Sequence, residues 1–297
     1  MSLPCVGLKL LHRADHCTWG RIIQYGPDMK RLSELVEKAD REVQPIQEDI
    51  SRNLQLFQTP LRSLWTVREN RLFDVSSRLA GLIAEHLWLS ALHPDARVEP
   101  GDIVLDCGAH VGVFTALALN WGAARVIAIE PAPENLYCLR RNFPAEIADN
   151  RIAVVEKGVW SSEGLLDLRI SNTTSTADSF VQPGNGDLVK VPVTTIDNLV
   201  DVLNLPRVDY IKLDIEGAER EALSGARETL RRYHPKVMVA MYHRPDDRIV
   251  LPEVIRSAYA GYRHICGPCE YDPGNPRELI PHVSYFLVDV DRASRHP

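Results

Sequence analysis

The segment Val104-Leu-Asp-Cys-Gly-Ala-His-Val-Gly112 is the most informative part of this sequence for the fold class. It begins as an apolar strand, reaches the acid Asp106, and turns through two glycines into an apolar helical segment at 113–121. Glycine lets a backbone approach a ligand closely, and a helix that starts here offers free N–H groups. A buried strand that leads through a glycine turn into a helix is typical of nucleotide-binding α/β domains.

Strand and helix patterns alternate on both sides of this turn. Apolar runs that predict core strands lie at 103–107, 125–130, 152–156, 209–214, 236–241, 262–266 and 284–288. Segments with helical spacing separate most of these runs, which predicts a parallel sheet covered by helices on both faces. Residues 165–170 and 188–193 depart from this rhythm and predict an inserted hairpin with a polar loop at 171–187.

The first 94 residues are predicted to form a mainly helical extension, and residues 95–297 the α/β domain. Apolar residues at helical spacing predict one helix over 28–43, which Pro45 breaks or kinks, and another over 76–92. Between them a further helical stripe is made of Ile46, Ile50, Leu54 and Phe57. Together with the loop at 171–187, the extension is expected to cap the domain and cover its ligand cleft, or to pair two subunits in a homodimer.

Composition excludes several classes of protein. Of the 297 residues, 45% are hydrophobic and 25% charged, which is typical of a globular protein and too apolar for a disordered one. The net charge of −6 gives no general attraction to nucleic acid, and no apolar run approaches the ~18 residues of a membrane span. The six scattered cysteines do not suggest a disulfide scaffold, so a cytoplasmic location is expected, with Cys266 and Cys269 as incidental thiols.

The charges around the glycine turn distinguish between cofactors. The turn is G-x-x-x-G, whereas dinucleotide sites have G-x-G-x-x-G, and an acid precedes it by two residues. That acid, Asp106, would repel a pyrophosphate but attract a cationic amino group such as that of S-adenosylmethionine (SAM). Glu130, 24 residues further on at the next strand end, is placed to accept both ribose hydroxyls. A NAD-type site and a cofactor-free α/β domain are the alternatives.

Four blocks of the sequence resemble the FkbM family of SAM-dependent methyltransferases. They lie within residues 100–245 and read VLDCGAHVGVFTALAL, VIAIEPAPENLYCLRRN, VPVTTIDNL and VDYIKLDIEGAEREALSGA. The resemblance implies a class I methyltransferase (Rossmann-like) fold, with a seven-stranded, mostly parallel sheet and one antiparallel strand near the C-terminus. It also implies O-methylation of a hydroxyl on a sugar, glycan or polyketide-type natural product.

The predicted SAM site combines the glycine turn with the ends of neighbouring strands. It comprises Asp106, Gly108, Ala109, His110, Gly112, Thr115, Glu130, Pro131, Gly158, Val159 and Asp214. The predicted catalytic residues are Lys212, Asp214, Glu216 and His243. His243 follows a strand end, and a histidine has a pKa suited to proton removal near neutrality, which makes it a candidate general base. Lys212 shares a strand face with Asp214 and would orient it or the substrate oxygen.

Other interpretations of these residues stay open. Asp214, Glu216 and His243, or alternatively Asp246 and Asp247, could hold Mg²⁺ beside a diol substrate. No spacing demands a metal, and none is predicted. The rival functions are an NAD-dependent oxidoreductase and a non-catalytic SAM-binding protein.

Overall fold

The computed structural model describes residues 17, 19–68, 75–171, 174–182, 184–272 and 275–289. Its strands are β1 (Gln44–Asp49), β2 (Leu54–Gln58), β3 (Leu64–Val67), β4 (Ile103–Cys107), β5 (Arg125–Ile129), β6 (Ile152–Val155), β7 (Gly158–Val159), β8 (Gly164–Ser171), β9 (Gly186–Thr194), β10 (Tyr210–Leu213), β11 (Lys236–Ala240), β12 (Arg263–Cys266), β13 (Cys269–Asp272), β14 (Asn275–Pro281) and β15 (Val283–Leu287). Its helices are α1 (Trp19–Glu42), α2 (Val75–Leu92), α3 (Val113–Asn120), α4 (Pro133–Asn142), α5 (Pro144–Ala148), α6 (Ile196–Val202), α7 (Glu219–Ser224), α8 (Arg227–Tyr233) and α9 (Asp247–Ala258).

Seven strands form the central sheet, in the order β6-β5-β4-β10-β11-β15-β12. Neighbours from β6 to β11 run parallel, whereas β15 is antiparallel to both β11 and β12. The predicted fold class, including the antiparallel strand near the C-terminus, is confirmed. The chain order reverses between β4 and β10, and ligands of open α/β sheets bind outside the strand ends at such a point.

Both faces of the sheet are buried, and β4 shows how. Leu105 and Cys107 pack in the apolar cluster on one face, and Val104 packs in the cluster on the other. Because side chains alternate along a strand, Asp106 lies on the same face as Val104. β10 pairs with β4 in the register that sets Lys212 opposite Asp106. The strand pairing itself therefore brings two charged residues together inside the core.

The N-terminal region is less helical than predicted. α1 and α2 confirm the helices expected at 28–43 and 76–92, but β1, β2 and β3 form an antiparallel sheet between them. The helix predicted from Ile46 to Phe57 is therefore wrong. Ile46 and Ile50 are 54% and 78% exposed and form no buried stripe. Asn53, with a left-handed φ of 54°, turns the chain between β1 and β2.

This N-terminal sheet is hydrogen-bonded to the α/β core. The side chain of Asn142 in α4 accepts from the backbone N–H of Trp65 at 2.6 Å and donates to its carbonyl oxygen at 3.0 Å. One apolar cluster contains buried residues of both regions. The boundary between residues 94 and 95 stays a prediction, as does the homodimer.

The cysteines bear on the expected cytoplasmic location, which stays a prediction. Cys17 and Cys269 form a disulfide, so the interpretation of Cys269 as an incidental thiol is wrong. The two cysteines are separated by 252 residues, and no local pattern indicates such a pairing. Cys266 remains a thiol. Within the described residues, no helix has the length and apolar character that crossing a membrane requires.

Candidate active site

A cleft opens at the carboxyl ends of β4, β5 and β10, where the strand order reverses. The turn after β4 and the end of β5 form one side, and the segment after β10 forms the other. Helix α2 and the loop between β8 and β9 complete the walls. The predicted hairpin is confirmed, since β8 and β9 pair antiparallel along their length. The fold thus gathers residues from the N-terminal region, the sheet and the hairpin loop around one space.

Asp106 and Lys212 form a buried ion pair beneath the turn. Asp106 Oδ1 lies 3.4 Å from Lys212 Nζ, and Asp106 Oδ2 accepts a 2.6 Å hydrogen bond from Thr115. Lys212 also donates to the carbonyl oxygen of Gly108 at 2.8 Å. Burial disfavours the ammonium, but the carboxylates of Asp106 and Asp214 hold the pKa of Lys212 above its usual value. Lys212 lines the cleft, whereas Asp106 is fully buried and supports the turn from behind.

The two glycines of the turn have different roles. Both have left-handed backbone angles, with φ of 78° at Gly108 and 95° at Gly112, which glycine adopts most easily. A Cβ atom on Gly108 would overlap the carbonyl oxygen of Asp214, so glycine lets the turn pass close to the end of β10. A Cβ atom on Gly112 would overlap the ring of Phe143. Gly108 lines the cleft, and Gly112 is needed for packing behind it.

The backbone N–H groups of the turn are largely occupied. Those of Gly108 and Ala109 both donate to the carbonyl oxygen of Ile129 at 3.0 Å, and that of His110 donates to Glu130 Oε2 at 2.8 Å. The other oxygen of Glu130 accepts a further backbone N–H at 2.9 Å. Burial raises the pKa of the Glu130 carboxyl. Phosphate sites in such turns need free N–H groups, so this turn is poorly suited to a pyrophosphate.

His110 connects the turn to the loop between β8 and β9. Its Nε2 lies 2.8 Å from the hydroxyl oxygen of Ser175. Desolvation lowers the pKa of His110 to about 3, so the imidazole is neutral. On the other side of the loop, Arg78 of α2 donates to the hydroxyl oxygen of Thr174 at 2.6 Å. The loop is therefore held at both the turn and the N-terminal region.

Three carboxylates surround His243, just after β11. Glu219, which is fully buried, accepts a 2.8 Å hydrogen bond from Nδ1. Nε2 faces Asp214 Oδ1 at 3.6 Å and Glu216 Oε1 at 3.5 Å. The side chain of His243 is only 4% exposed, whereas those of Asp214 and Glu216 line the cleft. These four residues, Asp214, Glu216, Glu219 and His243, are called the acidic cluster below.

This environment argues against His243 as the general base. Burial disfavours the imidazolium, but the surrounding carboxylates raise the pKa of His243 well above its usual value. A protonated imidazole has no lone pair with which to take a proton. Lys212 and His243 hold the pKa of Asp214 below its usual value despite burial, whereas burial raises the pKa of Glu216. The carboxylates of Asp214 and Glu216 face the cleft, whereas the imidazole lies behind them.

The N-terminal region, expected to cap the domain, supplies one wall of the cleft through helix α2. Leu82, Glu85 and His86 line it. Glu85 lies 2.8 Å from His282, and the ring of Tyr242 stacks on that imidazole with centroids 5.0 Å apart. Helical spacing indicated that α2 has a buried side but not what that side would face, because these contacts join residues far apart in sequence.

Most of the predicted positions meet in the cleft. Those that line it are Gly108, Ala109, His110, Glu130, Pro131, Gly158, Val159, Lys212, Asp214 and Glu216. Asp106, Gly112 and Thr115 instead hold the turn from behind, and His243 lies behind the two carboxylates that face the cleft. The roles of these residues in binding and catalysis stay predictions.

Comparison with known proteins gives the family. Residues 106–264, more than half of the chain, match the family described as methyltransferase FkbM domain. The chain is similar to methyltransferase sdnD of Sordaria araneosa, 27% identical over 52% of this chain and 72% of that protein. It is also similar to hexuronic acid methyltransferase AglP of Haloferax volcanii, 25% identical over 46% of this chain and 54% of that protein. A third relative is 31-O-demethyl-FK506 methyltransferase FkbM of Streptomyces tacrolimicus, which is 23% identical over 46% of this chain and 64% of that protein. The chain therefore belongs to the FkbM family of methyltransferases.

Proposed function

We propose that this protein transfers the methyl group of SAM to a hydroxyl group of a sugar, glycan or polyketide-type natural product. The observation that carries the proposal is the composition of the cleft. The buried carboxylate of Glu130 lies on one side, the carboxylates of Asp214 and Glu216 lie on the other, and Gly108 lines the space with them. Such a cleft has groups for a ribose and for an acceptor hydroxyl.

The residues around the turn fit SAM better than a dinucleotide. Both oxygens of Glu130 accept backbone N–H groups, and each keeps a further lone pair that a ribose hydroxyl can use. The N–H groups of the turn that a pyrophosphate would need are already bonded to Ile129 and Glu130 at the end of β5. Gly158 and Val159 would flank the adenine, and Asp214 would lie beside the reacting methyl. When bound, SAM supplies an electrophilic methyl group on a sulfonium.

The acceptor hydroxyl would lie at Asp214 and Glu216, where the acidic side of the cleft takes up its proton. Holding the oxygen in line for attack, about 3 Å from its target, accounts for much of the rate of such a transfer. Lys212 acts as a positioning residue, because it ties the end of β10 to the turn. α2 and the loop between β8 and β9 select the acceptor, as loops on a rigid scaffold commonly do.

The names of two relatives support the acceptor class. One is a hexuronic acid methyltransferase, and the other is a 31-O-demethyl-FK506 methyltransferase. Both names indicate oxygen-rich substrates, a sugar acid in one case and a natural product with an O-methyl group in the other.

Calorimetric titration with S-adenosylhomocysteine (SAH) tests the cofactor. We expect one saturable site, weakened about tenfold or more in Glu130→Gln, since hydrogen bonds to a charged group contribute about 1.5–3 kcal/mol. Glu134→Gln, at an exposed acid nearby, is the matched control and should bind like the wild type. Absence of wild-type binding would contradict SAM dependence, and a fluorescence titration with NADH tests the oxidoreductase alternative.

Transfer of the methyl group from labelled SAM to sugar and macrolide alcohols tests catalysis. Transfer would show an enzyme, and its absence would favour a non-catalytic SAM-binding protein.

A further inference from the structure

The geometry points to a divalent-cation site in the acidic cluster, with Asp214, Glu216 and His243 as ligands for an ion of the Mg²⁺ and Mn²⁺ class. The donor atoms of these three residues all lie within 4.8 Å of one another. Nε2 of His243 is 3.6 Å from Asp214 Oδ1 and 3.5 Å from Glu216 Oε1. Two donors about 2.1 Å from one Mg²⁺ or Mn²⁺ ion, at the angle of about 90° that octahedral coordination requires, lie about 3.0 Å apart. The three side chains can therefore share one ion once each of these pairs closes by about 0.5 Å.

Unpartnered buried atoms provide a second observation. Among the described residues, neither Nε2 of His243 nor Oδ1 of Asp214 has a hydrogen-bond partner, and Nε2 meets Asp214 and Glu216 only at ion-pair distances. The His243 side chain is only 4% exposed, and at 3.6 Å the two atoms are too far apart to bond to each other. Buried polar atoms almost always have partners, and an ion is one explanation where protein atoms supply none. Both atoms point to the same space.

The ring of His243 is oriented as a ligand. Glu219, which is fully buried, accepts from Nδ1 at 2.8 Å and from the backbone N–H of Ile215 at 2.9 Å. A carboxylate on one ring nitrogen fixes the tautomer and directs the lone pair of the other nitrogen to a metal. In His243 that other nitrogen is Nε2, which faces Asp214 and Glu216. A bound ion takes the place of the proton that the carboxylates otherwise hold on this nitrogen.

The site is open on the substrate side. Asp214 and Glu216 are 31% and 26% exposed and line the cleft, so coordination positions would face it. Two neighbouring hydroxyl oxygens of a sugar can fill such positions, and a bound hydroxyl would lose its proton more easily to a carboxylate oxygen of Asp214 or Glu216 that does not hold the ion. That role rests on the proposed function, whereas the metal site does not. The other acidic pair, Asp246 and Asp247, lies 2.7 Å and 3.6 Å from Arg220, which already supplies a positive charge there.

The test is a titration of the purified full chain with MnCl₂, after treatment with a chelator and without cofactor or acceptor. Electron paramagnetic resonance measures the free Mn²⁺ at each point. We expect one site per chain in the wild type, with affinity lowered at least about tenfold in Asp214→Asn and in Glu216→Gln. Asp246→Asn removes a nearby exposed carboxylate and should bind like the wild type. Electron spin echo of the bound ion should show coupling to a ¹⁴N nucleus, which is absent in His243→Ala.

Three results would overturn the site: no wild-type binding at millimolar MnCl₂, unchanged affinity in both carboxylate variants, or bound Mn²⁺ without nitrogen coupling. Circular dichroism on each variant confirms the fold, and Glu216→Gln is the safest because its side chain is partly exposed. SAH titration of the same samples keeps the two proposals apart. SAH binding without Mn²⁺ binding removes only the metal site, and Mn²⁺ binding without SAH binding removes only SAM dependence.

Discussion

The turn after β4 and the acidic cluster after β10 follow neighbouring strands, yet their polar groups are hydrogen-bonded to different extents. In the turn, Asp106 is paired with Lys212 and Thr115, and the N–H of His110 is bonded to Glu130. In the acidic cluster, buried atoms of Asp214 and His243 face each other without a hydrogen bond. The turn is held by hydrogen bonds as well as by the Asp106–Lys212 ion pair, whereas Nε2 of His243 meets carboxylates only at ion-pair distances. Changes confined to one region, or to the loop above both, test this contrast.

The largest effect is expected from Lys212→Met, which removes the ion pair beneath the turn. It leaves the Asp106 carboxylate buried without its counter-ion, which typically costs about 3–5 kcal/mol of unfolding free energy. Urea denaturation measures the loss. Lys190→Met is the control, because its ion pair with Asp167 is exposed and should contribute less than about 1 kcal/mol. Equal losses in the two variants would show that the Asp106–Lys212 pair does not stabilise the turn.

Glu216→Gln acts on the other side and should separate chemistry from cofactor binding. We expect the rate of methyl transfer to fall about 100-fold, because the variant loses a group that takes up a proton or stabilises charge. The affinity for SAH should stay within about twofold of the wild-type value. Glu221→Gln, which changes a carboxylate bonded to Arg244, is the control for activity. Weaker SAH binding with unchanged turnover would move Glu216 from the acceptor side to the cofactor side.

The raised pKa of Asp178, in the loop between β8 and β9, predicts that the stability of the protein depends on pH. Burial, with the nearby carboxylates of Glu130, Glu134 and Glu216, raises the pKa of Asp178 from 3.8 to about 7. The folded protein therefore holds this proton more tightly than the unfolded chain does. Its contribution to stability is complete below about pH 4 and is lost as the pH rises through about 7.

Asp178→Asn removes this titration. Between about pH 5 and 8 the Tm of the wild type should fall relative to that of the variant by roughly 5 °C, because about two pH units of linked titration correspond to about 2–3 kcal/mol. Thermal unfolding of both proteins across this range measures the difference. Parallel curves would mean that Asp178 titrates normally in the folded protein.

The smallest effect is expected from Arg78→Ala, which releases the loop from α2. Loss of the bond to Thr174 should make chymotrypsin cleavage after Phe180 roughly threefold faster, since one hydrogen bond contributes about 0.5–1.5 kcal/mol. Arg41→Ala, in the last turn of α1, is the control. An unchanged cleavage rate would show that His110 and Ser175 hold the loop without Arg78.

The sheet was predictable because its signals are local. The apolar runs indicated all seven central strands, and the polar interruption at 171–187 indicated the hairpin. The helix predicted from Ile46 to Phe57 failed for the same reason. Apolar residues at four-residue steps fit a helix, but Asn53 turns the chain and the two segments pair as strands. Strand formation depends on packing against neighbouring segments, which the local pattern does not contain.

Local sequence was sufficient for the glycine turn, the acids at the strand ends and the family resemblance, because strand periodicity, glycine conformation and residue spacing act over a few residues. Which of the acids meet became clear only from the folded chain. Folding paired Asp106 with Lys212 across two strands and set Glu219 behind His243. It also joined Cys17 to Cys269 and brought α2 to the cleft. These contacts depend on strand register and on the packing of distant segments, and neither leaves a mark in the local pattern of residues.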